Sequence, residues 1–380
     1  MDALEKLNSL SSQMHLEPAE ESGCPQTATS KPGAGMVYNA ALPGGKHVPL
    51  LKTLLTSACE RNCYYCPFRA GRDYRRTTMK PDEMAQTFTN LHHRGVVEGM
   101  FLSSGIVAGG IHTQDKLLAT AEILRQKYNY RGYLHLKIMP GAERAQVERA
   151  MQLADRVSVN LEAPNTDRLL RLAPRKEFMQ ELLQPLRWVQ EIRQSEDPRR
   201  GWNGRWPSSV TQFVAGGSGE SDLELLSTTE FLYHQLGLRR AYFSAFNPIP
   251  DTPLENQTPT PPEREHRLYQ SSFLIRDYGF SLEDLPFDLS GNLPTNIDPK
   301  LAWAQMHLRQ SPVDVNRASR RELLRVPGFG PKSVTAILTA RRHGPLRDLT
   351  DLKRLNILTG RSAPFILLNG QRPSYQPSLF

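Results

Sequence analysis

Apolar runs of strand length alternate with longer stretches of helical length through the central part of the chain. The runs that predict strands are Leu50–Leu55, Gly99–Leu102, Tyr133–Ile138, Arg156–Leu161, Ser209–Val214 and Arg240–Ala245. The intervening stretches that are long enough for crossover helices are Met84–His93, Asp115–Tyr128, Gly141–Ala154, Phe178–Ser195 and Leu223–Leu236. Six strands alternating with helices predict an α/β fold, either a parallel barrel or a partial (β/α)6 barrel, whose chemistry lies at the carboxyl ends of the strands.

The two ends of the chain lack this alternation. A short helix is compatible with Asp2–Leu10, but the residues that follow are Ser, Glu, Gly, Pro and Thr without periodicity, which is typical of a mobile leader. Prolines favour a linker over residues 285–310, although Ile297–Leu308 is compatible with a helix. We therefore predict a leader (1–47), a barrel domain (48–284), a linker (285–310), a small all-α C-terminal domain (311–372) and a tail (373–380).

Composition excludes several classes of protein. With 39% hydrophobic and 23% charged residues in 380, the chain is expected to be soluble and globular, and no apolar run approaches the roughly 18 residues of a membrane span. The N-terminus lacks the basic and apolar segments of a signal peptide, so we expect a cytoplasmic protein. Three of the four cysteines are packed between Cys59 and Cys66, which indicates metal ligands rather than a disulfide framework.

The net charge of +8 is concentrated in one part of the chain. Residues 311–372 hold twelve Lys and Arg against four Asp and Glu, a net charge of +8, while the rest of the chain holds 35 of each sign. A basic C-terminal segment beside a neutral body predicts that this segment binds a polyanion.

Cys59, Cys63 and Cys66 follow the first predicted strand at spacings of four and three residues. Thiolates in one loop can converge on a soft metal centre, either zinc or iron-sulfur. A structural zinc site normally has four protein ligands, so a three-cysteine site either recruits a distant partner, for which Cys24 is the candidate, or leaves a position open for chemistry.

The motif Cys-x-x-x-Cys-x-Tyr-Cys, with Tyr65 before the last cysteine and a strand before the first, resembles the signature of the radical S-adenosylmethionine (SAM) superfamily. The resemblance implies a [4Fe-4S] cluster on three cysteines, with SAM chelating the fourth iron and yielding a radical that abstracts a substrate hydrogen. A zinc site and an inert cluster are the alternatives.

The same resemblance implies SAM contacts at the ends of later strands. The implied residues are Tyr65, Ser103, Ser104, Gly105, Asn160, Glu162, Val214 and Gly216. Alternatively, Asn160 and Glu162 are solvated strand-end residues, and the glycine-rich segment is an ordinary turn with Glu220 at a helix N-terminus. Basic residues also gather near these ends, either to neutralise the SAM carboxylate or a substrate phosphate, or as a solvated charge run: Arg69, Arg72, Arg75, Arg76, Arg168, Arg171, Arg175 and Lys176.

The C-terminal segment Val326-Pro327-Gly328-Phe329-Gly330 resembles a helix-hairpin-helix motif. Its hairpin amides and the next helix N-terminus would bind a phosphate. The implied DNA-binding residues are Gly328, Phe329, Gly330, Lys332 and Arg341. A second segment, Leu349–Ile357, lacks the Gly-x-Gly core and is expected to complete the fold; a purely structural or protein-binding role for the whole domain is the alternative.

Together the two resemblances cover residues 48–372 and look like a bacterial family of radical SAM proteins named for DNA modification or repair. The predicted function is therefore hydrogen abstraction from nucleic acid, with DNA and an electron donor such as flavodoxin or ferredoxin as partners. The alternatives are a nucleic-acid-binding protein with a structural or redox-sensing cluster, and a radical SAM enzyme with a non-nucleic substrate.

Overall fold

The structure is a computed structural model that describes residues 1–12, 14, 37–41 and 47–374. It divides into two compact units. The first unit comprises Met1–Glu220 and Phe231–Pro261, and the second comprises Ser221–Glu230 and Pro262–Phe380. Among the described residues, none of the helices combines the length and the apolar character that crossing a membrane requires.

The first unit contains a curled seven-stranded sheet of the partial-barrel type. Its strands are β1 (Val37–Ala41), β2 (His47–Leu54), β3 (Gly99–Ser103), β4 (Tyr133–Lys137), β5 (Arg156–Ser158), β6 (Ser208–Ala215) and β7 (Arg240–Ala245). The strands neighbour one another in chain order, and β2 to β7 are parallel, which confirms the six predicted strands. The antiparallel edge strand β1 was not predicted, because its five residues lie within the segment read as a leader.

Helices connect the strands in the predicted order. They are α1 (Ala3–Ser11), α2 (Pro81–His93), α3 (Gly109–Glu122), α4 (Arg144–Leu153), α5 (Thr166–Leu172), α6 (Gln184–Ser195) and α7 (Asp222–Gln235). π-helical turns at Ile123–Lys127 and Phe178–Leu183 extend α3 and precede α6, so the predicted helices Asp115–Tyr128 and Phe178–Ser195 are each a composite. Helix α5 was not predicted; Asn165 caps it by accepting a hydrogen bond from the Arg168 N–H at 3.0 Å.

The start of the chain forms the short helix that Asp2–Leu10 allows, and much of the rest of the predicted leader lies outside the described residues. Helix α1 begins with a capping box between Asp2 and Glu5 and packs against β2 and α2. Leu7 and Leu10, three residues apart on one face, are fully buried, and Lys6 forms an ion pair with Glu83 at 2.8 Å. Apolar burial on one helical face therefore anchors the first residues of the chain.

The second unit contains five helices and a small parallel bridge between Val313–Asp314 and Ile366–Leu367 among its described residues. The helices are α8 (Pro262–Tyr278), α9 (Pro299–His307), α10 (Arg320–Arg325), α11 (Pro331–Ala340) and α12 (Leu349–Arg354). Ala304 and Leu308 lie in the same core as Phe329, so the end of the expected linker belongs to this core. Helix α9 thus agrees with the alternative that Ile297–Leu308 is helical.

Candidate metal centre and binding cavity

The loop after β2 brings three thiols to one cavity. Cys63 is buried and Cys59 and Cys66 are half-buried, and all three line this cavity. Burial raises the pKa of the Cys63 and Cys66 thiols. Negative charge on Glu162 and Cys59 adds to the effect at Cys63, and negative charge on Cys63 and Cys59 adds to it at Cys66. A bound metal reverses this penalty, because its positive charge favours the thiolate form.

The three thiols line one cavity and offer a soft set of donors. No group of three Cys, His, Asp or Glu side chains within the described ranges is placed to hold a single metal ion. A [4Fe-4S] cluster would need one thiolate for each of three irons, and three thiols on one cavity match that number. The Ile106 N–H also donates to Cys59 Sγ at 3.4 Å, the kind of hydrogen bond that tunes iron-sulfur sites. Cys24 lies outside the described residues.

Arg76 organises the cysteine loop. Its guanidinium donates to the carbonyls of Ser57 at 2.8 Å, Phe68 at 2.7 Å and Arg69 at 2.8 Å. Arg72 likewise donates to the carbonyls of Pro67 at 3.0 Å and Pro250 at 2.9 Å. Arg72 and Arg76 therefore have a structural role, because both donate to backbone carbonyls. The run of four arginines after the cysteine motif did not indicate this role.

The segment after β3 lies directly against the cysteine loop. A Cβ on Gly105 would come within 2.1 Å of the Ala58 carbonyl oxygen, so only glycine fits there. The Gly105 N–H donates to the Thr56 carbonyl at 2.7 Å. Ser104 and Gly105 line the cavity, whereas Ser103 is buried in β3 and does not.

Glu162 and its partners form the most polar wall of the cavity. The residue has a left-handed backbone, with φ of 64°, and its Oε1 accepts from Lys176 Nζ at 3.0 Å. Lys176 Nζ also lies 3.3 Å from the Tyr65 hydroxyl. Burial alone would raise the pKa of the Glu162 carboxyl, but the Lys176 and Lys137 ammonium groups hold it below its ordinary value. The second oxygen, Oε2, is buried with no hydrogen-bond partner among the described residues, so it can accept from a bound ligand.

Asn160 lies beside this wall. Its Nδ2 donates to Gln212 Oε1 at 3.3 Å, and both side chains line the cavity. Asn160 and Glu162 are buried, so the alternative of solvated strand-end residues is wrong for both. Lys137, at the end of β4, also lines this side of the cavity and was not predicted as a site residue. The alternation of the polar residues His135 and Lys137 with apolar residues in this strand could have indicated it.

The cavity has a volume of about 120 Å³. Its apolar walls include Leu54, Phe68, Ile106, Ile138 and Met139.

Val214 and Gly216 are not brought to this cavity. Gly216 has a φ of 95°; its N–H donates to the Glu220 carboxylate and its carbonyl accepts from Gln257 at 2.9 Å. Glu220 also accepts from the Ser218 N–H at 3.1 Å and hydroxyl at 2.7 Å. This geometry favours the turn interpretation, and a contact of Val214 or Gly216 with SAM stays a prediction.

In the second unit, the hairpin between α10 and α11 needs glycine at one position. Gly328 has a φ of 85°, which disfavours other residues. Gly330 is the N-cap of α11 and provides no side-chain cap, so the first-turn amides of α11 lack a capping side chain. Lys332 is exposed beside them.

Two of the predicted DNA-binding residues are turned inward. Phe329 is 1% exposed and lies in the core, and its carbonyl accepts from Lys300 Nζ at 2.6 Å. The Arg341 guanidinium donates to the carbonyls of Val315 at 3.2 Å and Ala318 at 2.6 Å. Their side chains therefore hold the hairpin in place, because the apolar ring and the guanidinium both find partners inside this unit.

Most of the basic side chains of residues 311–372 are nevertheless on the surface. The exposed ones are Arg317, Arg320, Arg321, Lys332, Arg342, Arg347, Lys353, Arg354, Arg361 and Arg372. Arg325 is the buried exception and pairs with Asp284 at 2.6 Å. In the second hairpin segment, Leu352 and Ile357 lie in the core, in keeping with its predicted part in the fold.

Comparison with known families agrees with both halves of this description. Residues 53–232 match the model of the Radical SAM superfamily, and residues 309–360 match that of the helix-hairpin-helix motif. The chain therefore contains a radical SAM domain, followed by a helix-hairpin-helix motif at its C-terminal side.

Solved radical SAM enzymes resemble the chain at low identity. The FeFe-hydrogenase maturase HydG from Carboxydothermus hydrogenoformans is 15% identical with a TM-score of 0.47, over 60% of this chain and 51% of that one. Methylornithine synthase (PylB) is 12% identical with a TM-score of 0.47, over 60% of this chain and 62% of its own. Coproporphyrinogen III oxidase (HemN) from Escherichia coli is 13% identical with a TM-score of 0.38, over 60% and 52%. The chain thus spans about half to three fifths of these proteins. A search of curated proteins gave no match.

Enzymes of this superfamily use a [4Fe-4S] cluster and SAM, and the residues present fit both. The three thiols provide the soft donor set, and the orphan Glu162 Oε2 provides a buried acceptor in the adjoining cavity.

Proposed function

We propose that this protein is a radical SAM enzyme that acts on nucleic acid, in DNA modification or repair. The observation that carries the proposal is that one chain combines the three-thiol cavity with a helix-hairpin-helix unit whose basic side chains are mostly exposed. Exposed charge of one sign beside uncapped amides is what a phosphate backbone requires.

In the cavity, Cys59, Cys63 and Cys66 would hold the cluster, and Ser104, Gly105, Asn160 and Glu162 would hold SAM. When bound, the two cofactors would supply the radical chemistry that removes a hydrogen from the substrate. Lys176 keeps Glu162 ionised, so its Oε2 can accept hydrogen bonds from ligand hydroxyl or ammonium groups. The apolar walls limit water near the reacting atoms.

The helix-hairpin-helix unit would position the enzyme on DNA without reading its sequence. Hairpin amides and Lys332 contact phosphates, which orient a protein but carry no base information. A base that reacts in the cavity has to leave the stack of a duplex first.

The proposal also includes an electron donor and a cellular location. The cluster needs an external one-electron donor, for which a flavodoxin or ferredoxin is suited. A cytoplasmic location suits the three reduced thiols, because cytosolic reductants keep cysteines free.

Anaerobic incubation of the reconstituted full-length enzyme with SAM, dithionite and uniformly deuterated DNA tests the proposal. We expect deuterium in 5′-deoxyadenosine, because the abstracted atom comes from DNA. Protonated DNA is the matched control for exchange from solvent. If the 5′-deoxyadenosine carried no deuterium with deuterated DNA or with deuterated RNA, nucleic acid would not be the substrate.

A further inference from the structure

Beneath Lys137, the sheet interior holds a second group of polar side chains. Lys52, Phe101, His135 and Arg156 are paired in register across β2 to β5. Paired residues on neighbouring strands point to the same face, as do residues two apart on one strand. Lys137 lines the cavity, so His135 and this whole row face the interior below it.

The next row also faces the interior. Lys137 is in register with Ser158, Ser158 with Val210, and Val210 with Arg240. Among the described residues of the two rows, the charged groups are all basic and no carboxylate occurs. Lys52 is 1%, His135 3%, Ser158 4% and Lys137 6% exposed, so this positive character is buried.

Two neighbouring residues of these rows, His135 and Ser158, each have a buried polar atom without a hydrogen-bond partner in the described parts of the chain. The atoms are Nε2 of His135 and Oγ of Ser158. The two residues lie on adjacent strands, one row apart, and Lys137 is their common neighbour. Buried polar atoms are nearly always satisfied in folded proteins, so two orphans side by side indicate a missing ligand.

The electrostatics of His135 agree with this arrangement. Burial first, and then the positive charges of Arg156, Lys137 and Lys52, lower the pKa of the His135 imidazole well below its ordinary value. The ring is therefore neutral, and the Ser158 hydroxyl and a neutral ring N–H are both able to donate. Donors surrounded by positive charge select an acceptor that carries negative charge.

We propose that His135, Ser158 and Lys137 form an oxyanion-binding subsite beneath the cavity, which receives a phosphate or carboxylate group. The group is either carried by the substrate of the radical reaction or is free inorganic phosphate. The Ser158 hydroxyl and the His135 ring donate to it, and the Lys137 ammonium, which lines the cavity and is in register with Ser158, adds a positive charge. This inference goes beyond the proposed action on nucleic acid and does not depend on it.

Calorimetric titration of the reconstituted full-length enzyme with inorganic phosphate tests the subsite. Added chloride keeps the ionic strength constant during the titration. Weak binding of phosphate to the basic C-terminal residues is then the same in all variants. We expect Ser158→Ala to weaken the saturable binding by about tenfold, the size of one hydrogen bond to a charged group. Ser209→Ala is the matched control, because this serine is also buried but alternates to the opposite face of β6. Equal affinity of wild type and Ser158→Ala, or no saturable phosphate binding at all, overturns the proposal.

A direct measurement on the wild-type protein avoids any folding defect of a variant. The ring nitrogen resonance of 15N-labelled His135, assigned by its loss in His135→Gln, should shift and saturate with phosphate. Thymidine 5′-monophosphate against thymidine, and acetate against chloride, distinguish a substrate-borne phosphate, a carboxylate and free phosphate. An unshifted resonance with every anion contradicts the subsite.

Failure of this proposal is distinguishable from failure of the proposed function. DNA binding and deuterium transfer into deoxyadenosine are measured separately and do not require phosphate binding. Loss of the anion subsite with label transfer intact would leave the nucleic-acid proposal standing.

Discussion

Lys176 and Glu162 form a buried ion pair in the wall of the cavity. The distance from Nζ to Oε1 is 3.0 Å, and the side chains are 9% and 6% exposed. Glu162 holds a left-handed backbone at the end of the β5 segment, and its second oxygen faces the cavity without a partner among the described residues. A buried pair of this kind needs both members, because each compensates the charge of the other.

Lys176→Met should therefore destabilise the protein by about 3–5 kcal/mol at neutral pH, since it leaves the Glu162 carboxylate buried and uncompensated. In the wild type the pKa of Glu162 is lowered from 4.5, so its contribution is present above that pH and is lost as the pH falls through the lowered value. In the variant the pKa should rise instead. Urea unfolding between pH 4 and 8 measures both. The double change Lys176→Met with Glu162→Gln should recover much of the loss, and no recovery would mean that the pair is not the cause.

Cluster content should depend on three cysteines and not on the fourth. Cys59→Ala, Cys63→Ala and Cys66→Ala should each abolish the cluster in anaerobically reconstituted protein, because each removes the ligand of one iron. Cys24→Ala, the matched control, should retain it. Iron and sulfide assays with the absorbance spectrum measure the content, and loss of iron in the Cys24 variant would contradict the three-ligand assignment.

Arg76 should be required to shape the cluster loop. Arg76→Met removes the donors that reach the Ser57, Phe68 and Arg69 carbonyls, so reconstituted iron should fall at least severalfold. Arg75→Met is the control, because this neighbouring arginine is exposed. Equal iron content in the two variants would show that Arg76 is not the organiser.

Lys332 should contribute to DNA binding by charge alone. Lys332→Ala should weaken binding similarly for all duplex sequences and reduce the slope of log affinity against log salt by about 1. Lys127→Ala, in the first unit with a side chain that is 60% exposed, is the control. Gel-shift titrations at several salt concentrations decide it, and an unchanged slope for Lys332→Ala would remove this residue from the interface.

Lys300 should make the stability of the second unit depend on pH. Burial lowers its pKa from 10.5 to about 7, so the folded state binds fewer protons than the unfolded state between these values. Stability contributed by this residue should thus rise with pH from about 7 towards 10.5. In thermal unfolding of the full chain, Lys300→Met should flatten the dependence of stability on pH. The variant should gain most stability over the wild type at low pH. An unaltered slope would contradict the lowered pKa.

The sequence determined the local elements well. All six predicted parallel strands are present, and runs such as Gly99–Leu102 are apolar on both faces, as buried parallel strands are. The spacing of the cysteines within one loop is likewise a local property, and so is the turn that requires glycine at 328.

Only the tertiary structure decided which side chains meet. Lys137 joins Glu162 in the cavity through the register of β4 with its neighbours, and register depends on partners far along the chain. Gly216 turns away because Glu220 folds back onto its amide, and Phe329 enters the core because apolar burial outweighs exposure beside a phosphate site. Periodicity shows only which face of an element a residue prefers, whereas contacts between faces arise from packing over long sequence separations. The strands and the thiols could therefore be read from the sequence. The cavity around the thiols depends on the tertiary structure.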